Sequence, residues 1–237
     1  MNLQLAEMAR ASSTNAWLAE RAEEGAPEGA AVLAHEQLAG RGRHGRGWVS
    51  TAGNLHVSVL VRPLTPPETV GQIGMLAALA LTDTLPESLG ARLKWPNDVL
   101  VNEAKLAGVL VETALQDGRI AWAVVGIGAN LASHPSLPDR PATSLPAQGL
   151  AAPNPLEFAQ QLLRHFAARY AAWRAQGFDA QRSAWVERGP RPGASIGVRL
   201  PSGVVEGRFV GIDAAGALLV ATAAGARTVT AGEVFAP

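Results

Sequence analysis

The chain has no cysteine. Disulfides and thiolate metal sites are therefore excluded, and packing and hydrogen bonds must hold the fold together. It also has no excess of charge of either sign. Lys+Arg and Asp+Glu number 20 each, and charged residues make up 17% of 237. Nucleic-acid-binding domains are usually basic, so this balance argues against one. No uncharged apolar run approaches the roughly 20 residues that a membrane-spanning helix needs. The N-terminus, Met1 to Glu7, has no basic segment followed by an apolar block, so no signal peptide is expected. A cytoplasmic protein without membrane attachment is the expectation.

Lysine is nearly missing too. There are 18 arginines but only Lys94 and Lys105, both within one 12-residue window beside Trp95-Pro96-Asn97-Asp98. A general bias towards arginine explains the ratio but not why the two survivors sit together. Lysine is a compact ammonium that arginine does not replace at a point-charge site. Both lysines are site candidates.

Gly40 to Trp48 is the most unusual stretch present. Its nine residues hold four glycines, three arginines and His44, and the apolar run Ala30 to Ala34 feeds it. Glycine lets backbone N–H groups approach a ligand, and arginine forks fit carboxylate and phosphate oxygens. Gly40 to Gly45 matches G-x-G-x-x-G, but Gly47 to Asn54 is no helix start, as a dinucleotide fingerprint requires. Arg46-Gly47 stand where a P-loop needs Lys and Ser/Thr. Taken alone, the stretch fits an anion-binding loop and an arginine-glycine nucleic-acid contact about equally.

Ser12 to Asn15 precede helix formers Ala16 to Ala22, a helix start that serves either as a plain cap or as a polar ligand site. Asn54 to Arg62 alternates as a strand. Glu68 to Leu89 has helical spacing and is expected to be one long buried helix stopped by Gly90. Arg92–Pro96, Val99–Val101, Lys105–Glu112 and Arg119–Gly128 predict a meander, hence a largely antiparallel sheet. Ser133 to Pro155 reads as a long loop. Helices are expected over 156–175 and 178–186. Gly189-Pro190-Arg191-Pro192-Gly193 divides residues 1–188 from residues 189–237, where four short apolar runs suggest a small β-barrel.

Five groups in order carry a resemblance: Ser13-Thr14-Asn15, Gln37 to Trp48, Lys94 to Asp98, Lys105 to Gly108, and Gly126-Ile127-Gly128-Ala129-Asn130. The G-R-G-R-x-G-R-x-W loop, K-W-P-N-D, K-L-A-G-V-L-V-E and G-I-G-A-N resemble the biotin protein ligases over nearly the whole chain. The resemblance implies an α+β fold. It has an antiparallel-rich sheet of the class II aminoacyl-tRNA synthetase kind, with helices on one face, in a catalytic domain over 1–188. An SH3-like β-barrel would follow over 189–237.

It implies ATP and biotin as substrates with Mg²⁺, the formation of biotinyl-5′-AMP and pyrophosphate, and transfer of biotin to a lysine of a biotin carboxyl carrier protein of acetyl-CoA carboxylase or a related carboxylase. Lys105 and Arg43 would be catalytic. Ser13, Thr14, Asn15, Gln37, Arg41, Gly42, Arg43, Lys105 and Gly108 would bind biotin. Gly108 would let the flat bicyclic ring approach the backbone. Arg41, Arg43, Trp48, Asn97 and Asn130 would bind ATP or the adenylate, with Trp48 either walling the adenine or packing as core. Asp98 would assist Mg²⁺, orient the incoming amine or stabilise its turn. The loop is expected to be mobile without ligand.

Some members carry an N-terminal helix-turn-helix. Here the motifs begin within the first 15 residues, and no DNA-binding role is expected. Some carry a basic residue after the glutamate matched by Glu233. None occurs in Val234 to Pro237. A sheet edge would allow a homodimer. Lipoate–protein ligase is the nearest rival, since it shares the fold and the chemistry. A nucleic-acid- or partner-binding module and a non-catalytic biotin binder are the others.

Overall fold

A computed structural model describes residues 1–137 and 140–235. Pro138 and Asp139, within the expected loop, and Ala236 and Pro237 lie outside the described residues.

Seven strands make the large sheet: β1 (Gln4–Ala11), β2 (Ala30–Gln37), β3 (Leu55–Val61), β4 (Arg92–Lys94), β5 (Asp98–Val101), β6 (Ala104–Gln116) and β7 (Arg119–Ala129). Their order is β1-β2-β3-β7-β6-β5-β4. The expected meander is β4 to β7. Every pair is antiparallel except β1 with β2, which run parallel from Gln4↔Ala30 to Ala11↔Gln37. A parallel pair needs a helical crossover, and α1 (Thr14–Glu23) provides it. β1 was not anticipated. Its Ala, Glu and Met favour helix, and it is a largely exposed edge.

Strand alternation gives each face of the sheet its own core. On one face Val57, Val59, Val125 and Ile127 pack with α2 (Val70–Thr84) and α3 (Pro155–Gln176). On the other, Val32, Leu60, Trp122 and Val124 pack with Leu18 and Ala22 of α1. Helices therefore cover both faces, not one. The sequence places a buried alternation on both sides of β3, whose seven residues are all buried.

The long helix expected to reach Leu89 stops at Thr84. Pro86 disfavours helical geometry at the residue before it, and Leu85 is extended, with ψ of 149°. A short 3₁₀ turn follows and closes on Gly90, whose φ of 62° suits glycine.

α4 (Asp179–Arg188) leads to a second sheet of β8 (Ser195–Leu200), β9 (Gly203–Ile212), β10 (Leu218–Thr222), β11 (Gly225–Val229) and β12 (Glu233–Phe235). Its order is β11-β10-β9-β8-β12. The short β12 is one strand more than the sequence suggested. The turn between β9 and β10 is stitched to α2 and to the β4–β5 turn. Trp95 Nε1 donates to Gly216 O at 3.0 Å, and Gln72 Nε2 to Ala214 O at 2.9 Å.

Candidate active site

One cavity of about 1070 Å³ opens where the C-terminal ends of β2 and β7, the arginine loop, the β4–β5 turn and the second sheet meet. That volume is generous even for a drug-sized ligand.

Its neutral end is built from α1. Ser13 is the N-cap, with Oγ 3.4 Å from Ala16 N. Thr14 donates through both N and Oγ1 to Gln37 Oε1, at 2.9 and 3.0 Å, joining the helix to the end of β2. Gln37 Nε2 donates to Ser50 Oγ at 3.2 Å. Ser58, fully buried on β3, lies 2.8 Å from Thr14 Oγ1 and donates to Asn15 Oδ1 at 2.6 Å. Asn15 Nδ2 donates to Glu112 Oε2 at 2.7 Å. Gly126 makes this possible, because a Cβ there would stand 2.1 Å from Asn15 Oδ1. A hydroxyl carries one proton. Thr14 and Ser58 have two protons for three oxygen–oxygen contacts, so the cradle is short of donors.

The charged end gathers Arg41, Arg43, Arg46 and Lys105, each resting on a partner. Arg41 pairs with Glu112 at 3.2 Å. Arg43 donates to Asn97 Oδ1 at 3.3 Å, and Asn97 Nδ2 donates to Val109 O at 2.5 Å. Burial lowers the Arg43 pKa, and the charges of Asp98 and Glu233 partly offset that shift. Arg46 grips Glu233 of β12 through both nitrogens, at 3.1 and 2.6 Å. Hydrogen bonding to Arg46 holds the Glu233 carboxyl below its usual range.

Lys105 Nζ stands 2.6 Å from Asp98 Oδ1, a buried oxygen with no aligned hydrogen bond. The ammonium also lies 5.6 Å from the Trp48 ring centroid. Trp48 is half-buried over Gly128, where a Cβ would stand 2.5 Å from the indole. It is a wall of the cavity, and its Nε1 has no partner. Asn130 is buried and donates to Lys105 O at 3.4 Å and to Thr143 O at 2.9 Å, bracing the strand that carries Lys105. Gly108 is occupied from above by Lys105 and Asp98: a Cβ would be 3.0 Å from Nζ. Its smallness thus serves the ion pair in this structure. Gly42 lines the cavity within the loop, which closes on itself through the Arg41↔Gly47 bridge. Among the described residues, no three His, Cys, Asp or Glu side chains gather as a metal cage.

All the candidate residues from the sequence therefore line one cavity. Sequence reasoning missed Ser58, Glu112, His56 and Glu233 as parts of the site. Ser58 had a signal, as a lone hydroxyl inside the apolar run Leu55 to Val61.

The model of the biotin/lipoate A/B protein ligase family matches residues 7–130, and that of the biotin protein ligase C-terminal domain matches residues 193–236. A biotin–[acetyl-CoA-carboxylase] ligase of Paracoccus denitrificans is 40% identical over 96% of this chain and 98% of its own length. The enzyme of that name from Mycobacterium tuberculosis is 39% identical over 98% of this chain and 88% of its own. Among solved structures, biotin protein ligase from Aquifex aeolicus in complex with biotin and ATP superposes with a TM-score of 0.81. It is 28% identical, over 98% of this chain and 97% of that one. Fold, site and matches define an enzyme of the ligase class. The chain belongs to the biotin/lipoate A/B protein ligase family, and within it to the biotin protein ligases.

Proposed function

We propose that this chain activates biotin with ATP and transfers it to a lysine of a biotin carboxyl carrier protein, as the names of its relatives suggest. The observation that carries the reading is the pairing, in one cavity, of a neutral donor-poor cradle with a cluster of cations. A ureido ring brings two N–H donors and no charge, which suits Ser13, Thr14, Asn15 and Gln37. Its carboxylate tail then points to Arg41, Arg43 and Lys105.

In the first step a carboxylate oxygen attacks the α-phosphorus and the bond to the β-phosphate oxygen breaks. Biotinyl-5′-AMP forms and pyrophosphate leaves. Carboxylate and phosphate repel, and fixed cations aimed at the growing charge lower that barrier. Lys105 and Arg43 take this role, and Arg41 and Gly42 close the loop over the intermediate. Asn97 holds Arg43 in place. Trp48 walls the nucleotide, and Asn130 holds the adjoining backbone. Closure keeps water from the mixed anhydride. In the second step the acceptor amine attacks the acyl carbon and AMP leaves.

A magnesium ion held mainly by nucleotide phosphates needs few protein ligands. Asp98 Oδ1 is already held by Lys105 Nζ at 2.6 Å, so the second oxygen of this carboxylate is the one left for such an ion. When bound, the ion neutralises phosphate charge. In this reading residues 1–188 do the chemistry, and the barrel that begins at residue 189 adds Glu233, which holds Arg46, to the wall of the cavity.

The test is pyrophosphate release from ATP and Mg²⁺ with biotin, lipoate or no acid. Release with biotin alone is expected. Release with lipoate instead changes the substrate, and release with neither overturns the reading.

A further inference from the structure

Glu112 of β6 joins the neutral cradle to the arginine loop. Its Oε2 accepts from Asn15 Nδ2 at 2.7 Å, and Arg41 Nη2 lies 3.2 Å from Oε1 and 3.3 Å from Oε2. Strand alternation puts Glu112 on the same face as Leu110, whose register partner is Gly126. The missing side chain at 126 lets the Asn15 amide lie beside it.

This contact decides which way round the buried Asn15 amide lies. A carboxylate accepts hydrogen bonds and donates none. The atom facing Glu112 is therefore the amide nitrogen, whose other proton goes to Leu110 O at 3.3 Å. Oδ1 is turned to Ser58, and an amide oxygen only accepts. Ser58 gives it its one proton, at 2.6 Å. Thr14 Oγ1 then spends its own proton on Ser58 Oγ, 2.8 Å away, or on Gln37 Oε1 at 3.0 Å. Thr14 lines the cavity, and what its hydroxyl has left to offer is lone pairs. A ring edge that carries N–H donors fits them. Oxygen or sulfur at the same places sets lone pair against lone pair and leaves buried groups unpaired, which is costly.

We infer that Glu112 is a positioning residue for the choice of acid: through Asn15 and Ser58 its charge orients the hydrogen bonds of the cradle, so that Thr14 presents lone pairs to the ring. This rests on the adenylation reading above, with biotin as the acid.

The test begins with wild-type protein and biotin. If no pyrophosphate is released, the adenylation reading fails before Glu112 is at issue. If it is released, kcat/KM for biotin is compared with that for its cyclic carbonate isostere, in which both ring N–H groups are oxygens. Wild-type protein should prefer biotin by about 100-fold or more. Glu112→Gln keeps the shape but is able to donate to Asn15 Oδ1, which lets the amide turn over and the relay reverse. The preference should fall at least about tenfold. Ser58→Ala breaks the relay one bond further on, removes no charge and should lower the preference too. Arg41→Gln removes the other partner of Glu112 and leaves Asn15 held. Whatever it does to turnover, the preference should stay within about twofold. Equal losses for both acids in Glu112→Gln are what a merely structural residue gives, and they overturn the inference. So does wild-type protein without a preference for biotin. An equal fall in Arg41→Gln overturns it as well, since that assigns the effect to the loop.

Discussion

Lys105 Nζ and Asp98 Oδ1 meet at 2.6 Å directly above Gly108. They come from neighbouring strands, and the register pairs Asp98 with Gly108, so the residue between the two charges has no side chain. In the adenylation reading, an anionic substrate entering the cavity competes with Asp98 for this ammonium. The neutral substitution Lys105→Ala should therefore leave a folded protein and lower kcat for biotin-dependent pyrophosphate release by roughly 10²–10³-fold. Near-normal turnover would remove Lys105 from the chemistry.

Gly126→Ala tests the cradle without removing any polar group. The new methyl would collide with Asn15 Oδ1, and overpacking of this kind typically costs about 1–3 kcal/mol. Displacing Asn15 should raise KM for biotin at least about tenfold, with a smaller effect on ATP. Equal effects on both substrates would mean that the damage is general. Steady-state kinetics and thermal unfolding of the same preparation separate the two.

Glu233→Gln should release Arg46. The pair is partly exposed, so its loss should cost no more than about 1 kcal/mol of stability. Because the folded-state carboxyl is held low, the pair contributes above the ordinary carboxylate range and is lost as pH falls through the lowered value. Freed from its carboxylate, Arg46 should serve phosphate better, and KM for ATP should drop roughly two- to fivefold. A higher KM would show that Glu233 positions Arg46 and does not compete for it.

His56 sets a pH limit. It is buried, its Nδ1 lies 3.3 Å from Ala34 O and its Nε2 has no partner. Burial lowers its pKa from 6.5. The unfolded chain binds this proton more readily than the folded one, so the stability is full above 6.5 and is lost as pH falls through the lowered value. Melting curves down to about pH 5 should show wild-type protein losing more stability than His56→Gln. Parallel losses would assign the effect to other groups.

Local chemistry made much of this molecule legible. Alternation gave the strands from Asn54 onward, and Gly189 to Gly193 stood out as a break. Contiguous motifs placed the charged and neutral ends of the site. Less was visible where neighbours in space, not in sequence, decide. β1 is strand only because Ala30 to Gln37 lies alongside it. Ser58 looks like part of an apolar strand until α1 lays Thr14 and Asn15 against it. Glu233 gains a role only when the barrel folds back onto Arg46. The end of α2 at Thr84 is, by contrast, a local matter, written in Pro86 and the extended Leu85 before it.

Both lysines, Lys94 and Lys105, line the cavity. A protein of this size usually displays many ammonium groups on its surface. Here a reagent directed at primary amines has two side-chain targets and the N-terminal amine. The N-terminal amine, with the lower ordinary pKa, takes the label first, and every further label falls on a lysine of this cavity. Protection of Lys94 or Lys105 by a bound ligand can be read directly from the mass of the intact chain.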